Sequence, residues 1–246
     1  MRMRKKPNLV PRMQNCGELL IADPASARGS WHNLTSGKLL LEIGCGKGRF
    51  TADLAAARPE DLVIAVERVE SAMVIAMERA RDRGLNNVRF IDADAAKLGE
   101  MFAPGEIDTI LLNFSDPWPK SRDAKFRLTA PGFLRSYADV LPVGGELCFK
   151  TDNTPLFDWS CAQMENEGWQ LRDVTHDLHA NGPVGILTDY EAKFMAQGMK
   201  INRLCAVRQP STLTTSAGAP ARLRNASLTD ARGYERSVSD HAAAEA

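Results

Sequence analysis

Five short apolar runs punctuate residues 38–151: KLLLEI at 38–43, LVIAVE at 62–67, VRFI at 88–91, IDTILLNF at 107–114 and GELCFKT at 145–151. Their hydrophobicity is continuous rather than alternating, which predicts strands buried on both faces of a parallel sheet. Between them, residues 69–83 (VESAMVIAMERARDR) repeat apolar positions at helical spacing and stop at Gly84. That segment predicts an amphipathic helix, and 49–57 and 132–140 predict shorter ones. Strands alternating with helices in this way build a doubly wound α/β sheet. Two later runs, WQLRDVTHDL at 169–178 and INRLCAVR at 201–208, predict the last strands. The long polar connection between them carries TDYE at 188–191, and long connections in compact domains are often functional. Residues 209–246 are rich in Ala, Ser, Thr, Arg and Asp with little apolar content, so a low-complexity, disordered tail is expected beyond a domain of residues 1–208.

Composition narrows the class without changing this picture. A chain of 246 residues, 44% hydrophobic and 25% charged, is long enough to bury a full core in one large domain. It has no apolar run of the roughly 18 residues a membrane span needs, and its N-terminus lacks the apolar stretch of a secretory signal, so a cytoplasmic protein is expected. The five cysteines are odd in number, widely spaced and mostly within apolar runs. They are expected to be buried thiols, with neither a disulfide framework nor a zinc site, and the four histidines have no metal-ligand spacing.

Formal net charge is zero, which excludes a general polycation, yet the charge is uneven. The first twelve residues hold Arg2, Arg4, Lys5, Lys6 and Arg12 with no acid. Farther along, Lys120, Arg122, Lys125, Arg127 and Arg135 face only Asp123. Both clusters suit phosphate contacts, the first as a basic arm over about residues 1–13.

Ligands on such sheets bind at the carboxyl ends of the strands, where this chain places its chemistry. The first predicted strand runs into Gly44-Cys45-Gly46-Lys47-Gly48, where Gly44 and Gly46 let the backbone approach a ligand closely. The spacing is GxGxG. A dinucleotide fingerprint would require glycine where Arg49 stands, and a phosphate loop would end in Gly-Lys-Ser/Thr. Glu42, just before the turn, suits an ammonium group better than a pyrophosphate and favours S-adenosylmethionine over a nicotinamide cofactor. Glu67 ends the second strand where a carboxylate can accept from both ribose hydroxyls, and Asp94, past the third, can accept from an adenine amino group. The fourth strand ends in Asn113-Phe114-Ser115-Asp116-Pro117-Trp118-Pro119-Lys120. Its two prolines restrict the backbone around Asp116 and Trp118. A fixed carboxylate there can accept from guanine N1 and N2, and the indole offers a stacking surface. Lys150-Thr151-Asp152 and the TDYE segment add polar groups to the same rim.

EIGCGKG, NFSDPWPK, FKTD, DLH at 177–179 and TDYE, in that order, resemble the bacterial tRNA (guanine-N7-)-methyltransferase family over about residues 1–208. The resemblance implies a mostly parallel seven-stranded sheet of the class I S-adenosylmethionine-dependent methyltransferase type. It implies methyl transfer from S-adenosylmethionine to N7 of guanosine 46 in the tRNA variable loop. It further implies that Glu42, Gly44, Gly46, Glu67, Asp94 and Asp116 bind the cofactor, that Asp116 is also catalytic, and that Lys120, Asp152, Thr188 and Glu191 bind the RNA. The expected partner is tRNA, with no membrane and no metal, for a chain acting as a monomer or homodimer. Where relatives place a further lysine, a histidine and an arginine after DPWPK, this chain has Ser121, Asp123 and Phe126, which thins the cationic cluster. Two other readings stay open on residues alone: an exocyclic amino methyltransferase, whose turn is related to DPWP, and a non-catalytic protein that binds S-adenosylmethionine or RNA.

Overall fold

The structure, a computed structural model, describes residues 7–210. Arg2, Arg4, Lys5 and Lys6 of the basic arm, and residues 211–246 of the tail expected to be disordered over 209–246, lie outside them. Seven strands form one sheet: β1 (Leu39–Ile43), β2 (Leu62–Val66), β3 (Val88–Ile91), β4 (Thr109–Asn113), β5 (Glu146–Thr151), β6 (Gln170–Thr175) and β7 (Asn202–Val207), in the order β3-β2-β1-β4-β5-β7-β6. The first five are parallel, and β7 runs antiparallel between β5 and β6. Every residue of β1 and β2 is buried, as continuous apolar runs require of central strands. Strand order reverses between β1 and β4, so a crevice opens where their carboxyl ends diverge.

Helices α1 (Leu9–Gln14), α2 (Arg49–Ala57), α3 (Glu70–Asp82), α4 (Leu98–Met101), α5 (Pro131–Val140), α6 (Thr154–Asn166) and α7 (Asp189–Ala196) complete the fold. One face of the sheet is packed with Trp31, Phe102, Tyr137, Phe149 and Phe157, the other with Phe50, Met73, Met77 and Phe90. The predicted helices at 49–57, 69–83 and 132–140 are α2, α3 and α5. Helix α6 escapes the sequence reading because Thr154-Pro155 follows a polar turn, yet Asn153 caps it by accepting from Leu156 N at 2.8 Å.

Two expectations are corrected. Cys148 and Cys205 stand opposite each other in the β5–β7 register and are joined as a disulfide, while Cys16, Cys45 and Cys161 are free. Antiparallel pairing brings together residues 57 apart, which cysteine spacing alone does not reveal. Arg12 is not a free phosphate ligand, because it donates two hydrogen bonds to the Glu78 carboxylate, at 2.7 and 2.6 Å, and docks α1 on α3.

The glycine turn divides its labour. Gly44, Gly46 and Gly48 all have positive φ, but a Cβ on Gly44 or Gly46 would meet open space, whereas one on Gly48 would lie 2.4 Å from the Ala76 Cβ. Gly48 therefore lets α2 pass α3, and the other two keep room above the backbone. Gly48→Ala should lower unfolding free energy by about 3 kcal/mol or more in chemical denaturation, combining αL strain and overpacking. Gly46→Ala should cost only the left-handed penalty of about 1–2 kcal/mol.

Candidate active site

The carboxyl ends of the parallel strands open on a cleft of about 1810 Å³. At its floor Glu42 is 2% exposed, with Oε2 accepting from Thr51 Oγ1 at 2.5 Å and Oε1 from Asn113 Nδ2 at 3.0 Å. Burial pushes its carboxyl pKa up, and the Thr51 and Asn113 hydrogen bonds oppose the shift. Asn113 is the last residue of β4, so the same carboxylate joins the glycine turn to the proline turn. Glu67 is 8% exposed and ties the glycine turn from the other side: Oε2 accepts from Gly46 N at 3.0 Å and Oε1 from Val69 N at 2.8 Å. Asp94, half exposed, accepts from Ala96 N at 2.9 Å and caps the turn that follows. Asp116 is exposed on the cleft wall.

The proline turn is strained. Phe114 and Trp118 have φ of 53° and 41°, values that cost a bulky L-residue roughly 1–3 kcal/mol each. Arg127 holds the turn, donating from Nε to Pro117 O at 3.0 Å and from a terminal nitrogen to Trp118 O at 3.0 Å, while its guanidinium lies 4.4 Å from the Trp159 ring centre. Arg127 is thus structural, and Arg135 pairs with Glu167 at 2.8 Å, so two of the five cations expected on phosphate are already engaged. Lys120, Arg122 and Lys125 remain exposed. Phe126 packs its ring 5.3 Å from Trp118.

Opposite this turn, the TDYE segment is a capped helix start rather than an open loop. Thr188 Oγ1 accepts from Glu191 N at 2.9 Å and Glu191 Oε2 accepts from Thr188 N at 3.0 Å, a capping box that begins α7. Glu191 is wholly buried, and its carboxylate also takes Lys150 Nζ at 2.7 Å and faces His179 Nε2 at 3.1 Å. Burial lowers the Lys150 pKa, and the adjacent Glu191 resists that shift. Asp189 pairs with Arg79 on α3 at 3.2 Å and lies 3.9 Å from Arg49 on α2.

This chain matches a family model described as "Putative methyltransferase" over residues 36–204. It is 42% identical over 196 residues to a tRNA (guanine-N(7)-)-methyltransferase of Lachnoclostridium phytofermentans, covering 78% of this chain and 92% of that one. A protein of the same description from Bacillus velezensis is 40% identical over 206 residues, covering 82% and 95%. The chain belongs to this methyltransferase family. Solved structures agree on the fold: the 16S rRNA methyltransferase KamB superposes with a TM-score of 0.57 at 18% identity, covering 73% of this chain and 93% of that one. A 16S rRNA (adenine(1408)-N(1))-methyltransferase from Catenulisporales acidiphilia, solved with its cosubstrate, gives 0.52 at 17% identity over 85% and 94%.

The donor set of this methyltransferase fits S-adenosylmethionine. Space over Gly44 and Gly46 admits a ligand against the backbone, the buried Glu42 carboxylate suits a cation, and Glu67 and Asp94 line the same cleft. Of the residues implied for RNA, Lys120 is exposed, Asp152 is half-buried and Thr188 lines the cleft. Glu191 does not reach the rim, because Lys150, His179 and the Thr188 amide enclose it. Sequence reading missed Thr51, Asn113 and the internal role of Lys150. Only the Asn immediately before Phe114-Ser115-Asp116 gave a signal. Among the described residues no three His, Cys, Asp or Glu side chains converge as for a metal ion, and no helix is long and apolar enough to cross a membrane.

Glu42 gives a prediction with a definite sign. Because its folded pKa is raised, the folded state holds its proton more tightly than the unfolded state. That stabilisation is complete below the ordinary carboxylate pKa and is lost as pH rises through the raised value. Glu42→Gln should therefore be more stable than wild type at neutral pH in chemical denaturation, an advantage that shrinks in acid. Calorimetric affinity for S-adenosylmethionine should fall at the same time.

Proposed function

We propose that this protein methylates N7 of guanosine 46 in the variable loop of tRNA, using S-adenosylmethionine. The observation that carries the reading is the strained proline turn, which holds Asp116 at the wall of the cleft whose floor is Glu42 and the open glycine turn. Its family membership and the names of its relatives support tRNA as the acceptor.

S-adenosylmethionine, when bound, supplies an electrophilic methyl on a sulfonium. Glu42 would hold its ammonium group, Glu67 its ribose and Asp94 its adenine, with Gly44 and Gly46 leaving the backbone room for it. Guanine N7 carries a lone pair and no proton, so its attack in line with the carbon–sulfur bond needs no general base. The N7 lone pair would form the new bond to the methyl carbon as the carbon–sulfur pair returns to sulfur. Catalysis is then chiefly alignment, where effective molarities contribute about 7–11 kcal/mol. Asp116 orients the base through N1 and N2 and offsets the positive charge the ring acquires. Lys120, Asp152 and Thr188 contact the RNA around it, and Glu191 acts through Thr188 and Lys150. The exposed cations Lys120, Arg122 and Lys125 and the N-terminal arm guide the phosphate backbone.

Incubation with unmodified tRNA and labelled S-adenosylmethionine should place label in N7-methylguanosine, with borohydride/aniline scission in the variable loop. Label in an exocyclic N-methylated nucleoside would replace this reading with the amino-methyltransferase one. Asp116→Asn should lower kcat roughly a hundredfold while calorimetric cofactor affinity changes little; unchanged turnover would remove Asp116 from catalysis. Replacing Lys120, Arg122 and Lys125 together by alanine should reduce the slope of log affinity against log salt by about 2–3 units. An unaltered slope would mean that phosphates lie elsewhere.

A further inference from the structure

In the first turn of α7, three of four side chains are committed to holding the helix. Thr188 caps it, Asp189 reaches Arg79 and Arg49 on the neighbouring helices, and Glu191 is buried on Lys150 and His179. Tyr190 is left over. It is 59% exposed, so the core does not need its ring, yet it lines the same cleft as Asp116 and Trp118. Its ring stacks against two others, Phe114 at 6.0 Å with an interplanar angle of 29° and Phe194, one turn along α7, at 6.0 Å and 28°. Phe114 is held in the left-handed region two residues before Asp116, so the ring packed on Tyr190 and the carboxylate belong to one turn. A largely exposed aromatic ring that packs on two others and lines a ligand cleft offers a surface for a planar group.

We propose that Tyr190 is the stacking platform for the acceptor base, taking the face of the guanine that leaves the RNA stack while Asp116 reads its edge. This rests on the guanosine acceptor proposed above. Within the TDYE segment it sets Tyr190 beside Thr188 as a direct RNA contact, in place of Glu191. A base displaced from its neighbours loses stacking that an aromatic side chain can replace. A ring face serves any base, so the platform contributes affinity and Asp116 contributes identity.

The test compares full-length tRNA carrying guanosine or an abasic site at the acceptor position, bound to wild type, Tyr190→Phe and Tyr190→Leu. Wild type and Tyr190→Phe should favour guanosine roughly tenfold or more, and Tyr190→Leu should lose most of that preference. The Leu variant should also lose roughly tenfold in kcat/KM for tRNA, with calorimetric affinity for S-adenosylmethionine unchanged. A Leu variant that discriminates as wild type does would overturn the platform and leave the reaction standing. Loss of cofactor affinity along with base preference would make Tyr190 a packing element and also overturn it. Wild type indifferent to the abasic site would overturn the platform together with the acceptor assignment.

Discussion

The wholly buried carboxylate of Glu191 is the point where sheet, late loop and last helix are joined. Taking such a charge out of water costs several kcal/mol unless close partners replace the water. Here Lys150 Nζ at 2.7 Å, the Thr188 amide at 3.0 Å and His179 at 3.1 Å do so. Lys150 comes from the end of β5 and lies 4.9 Å from the ring centre of Phe50, which follows the glycine turn. It also donates to Ile186 O at 3.1 Å. A segment of late polar loop is thereby fixed against the opposite side of the cleft, and the position of Tyr190 follows from a contact it does not itself make.

Residues that meet over long sequence distances explain what could and could not be read in advance. The parallel strands were legible because burial on both faces leaves a continuous apolar run, and the acids at their ends were legible because strand ends share one rim. The positions of Arg127 and Arg135 were not. Both sit in a basic cluster, but Arg127 turns inward to Trp118 and Trp159 and Arg135 to Glu167. Composition counts their charges without saying where the guanidinium points. Helix α7 was hidden for a related reason: its capping box is a local signal, but its stability comes from Lys150 and Arg79, 41 and 110 residues distant from their partners. The Cys148–Cys205 contact likewise depends on strand register.

The strain at Phe114 and Trp118 brackets Asp116 and is balanced by particular contacts. Asn113 anchors the turn at its start through Glu42, and Arg127 anchors it at Pro117 and Trp118. Relaxing either aromatic residue toward the extended region would swing the carboxylate, so the cost of the conformation is the cost of a fixed position. Phe126 adds to the same support: its ring packs on Trp118 and offers apolar surface beside Lys125.

The proposed chemistry also accounts for what the histidines do. A reaction that removed a proton from its acceptor would call for a group titrating near neutrality at the mouth of the cleft. The three histidines among the described residues are engaged elsewhere: His32 faces Glu106 O at 3.1 Å, His176 faces Asn202 Oδ1 at 2.8 Å, and His179 faces the buried Glu191. The acids are instead graded by depth, from Glu42 and Glu67 on the buried side to Asp116 in contact with solvent. A cationic cofactor is best held where water is excluded, because the attraction is least screened there. An acceptor base that arrives on a large RNA must be met at the surface. For attack by guanine N7, which has no proton to lose, that gradient and a rigid turn supply the two requirements of the transfer: a fixed methyl donor and a base aligned to reach it.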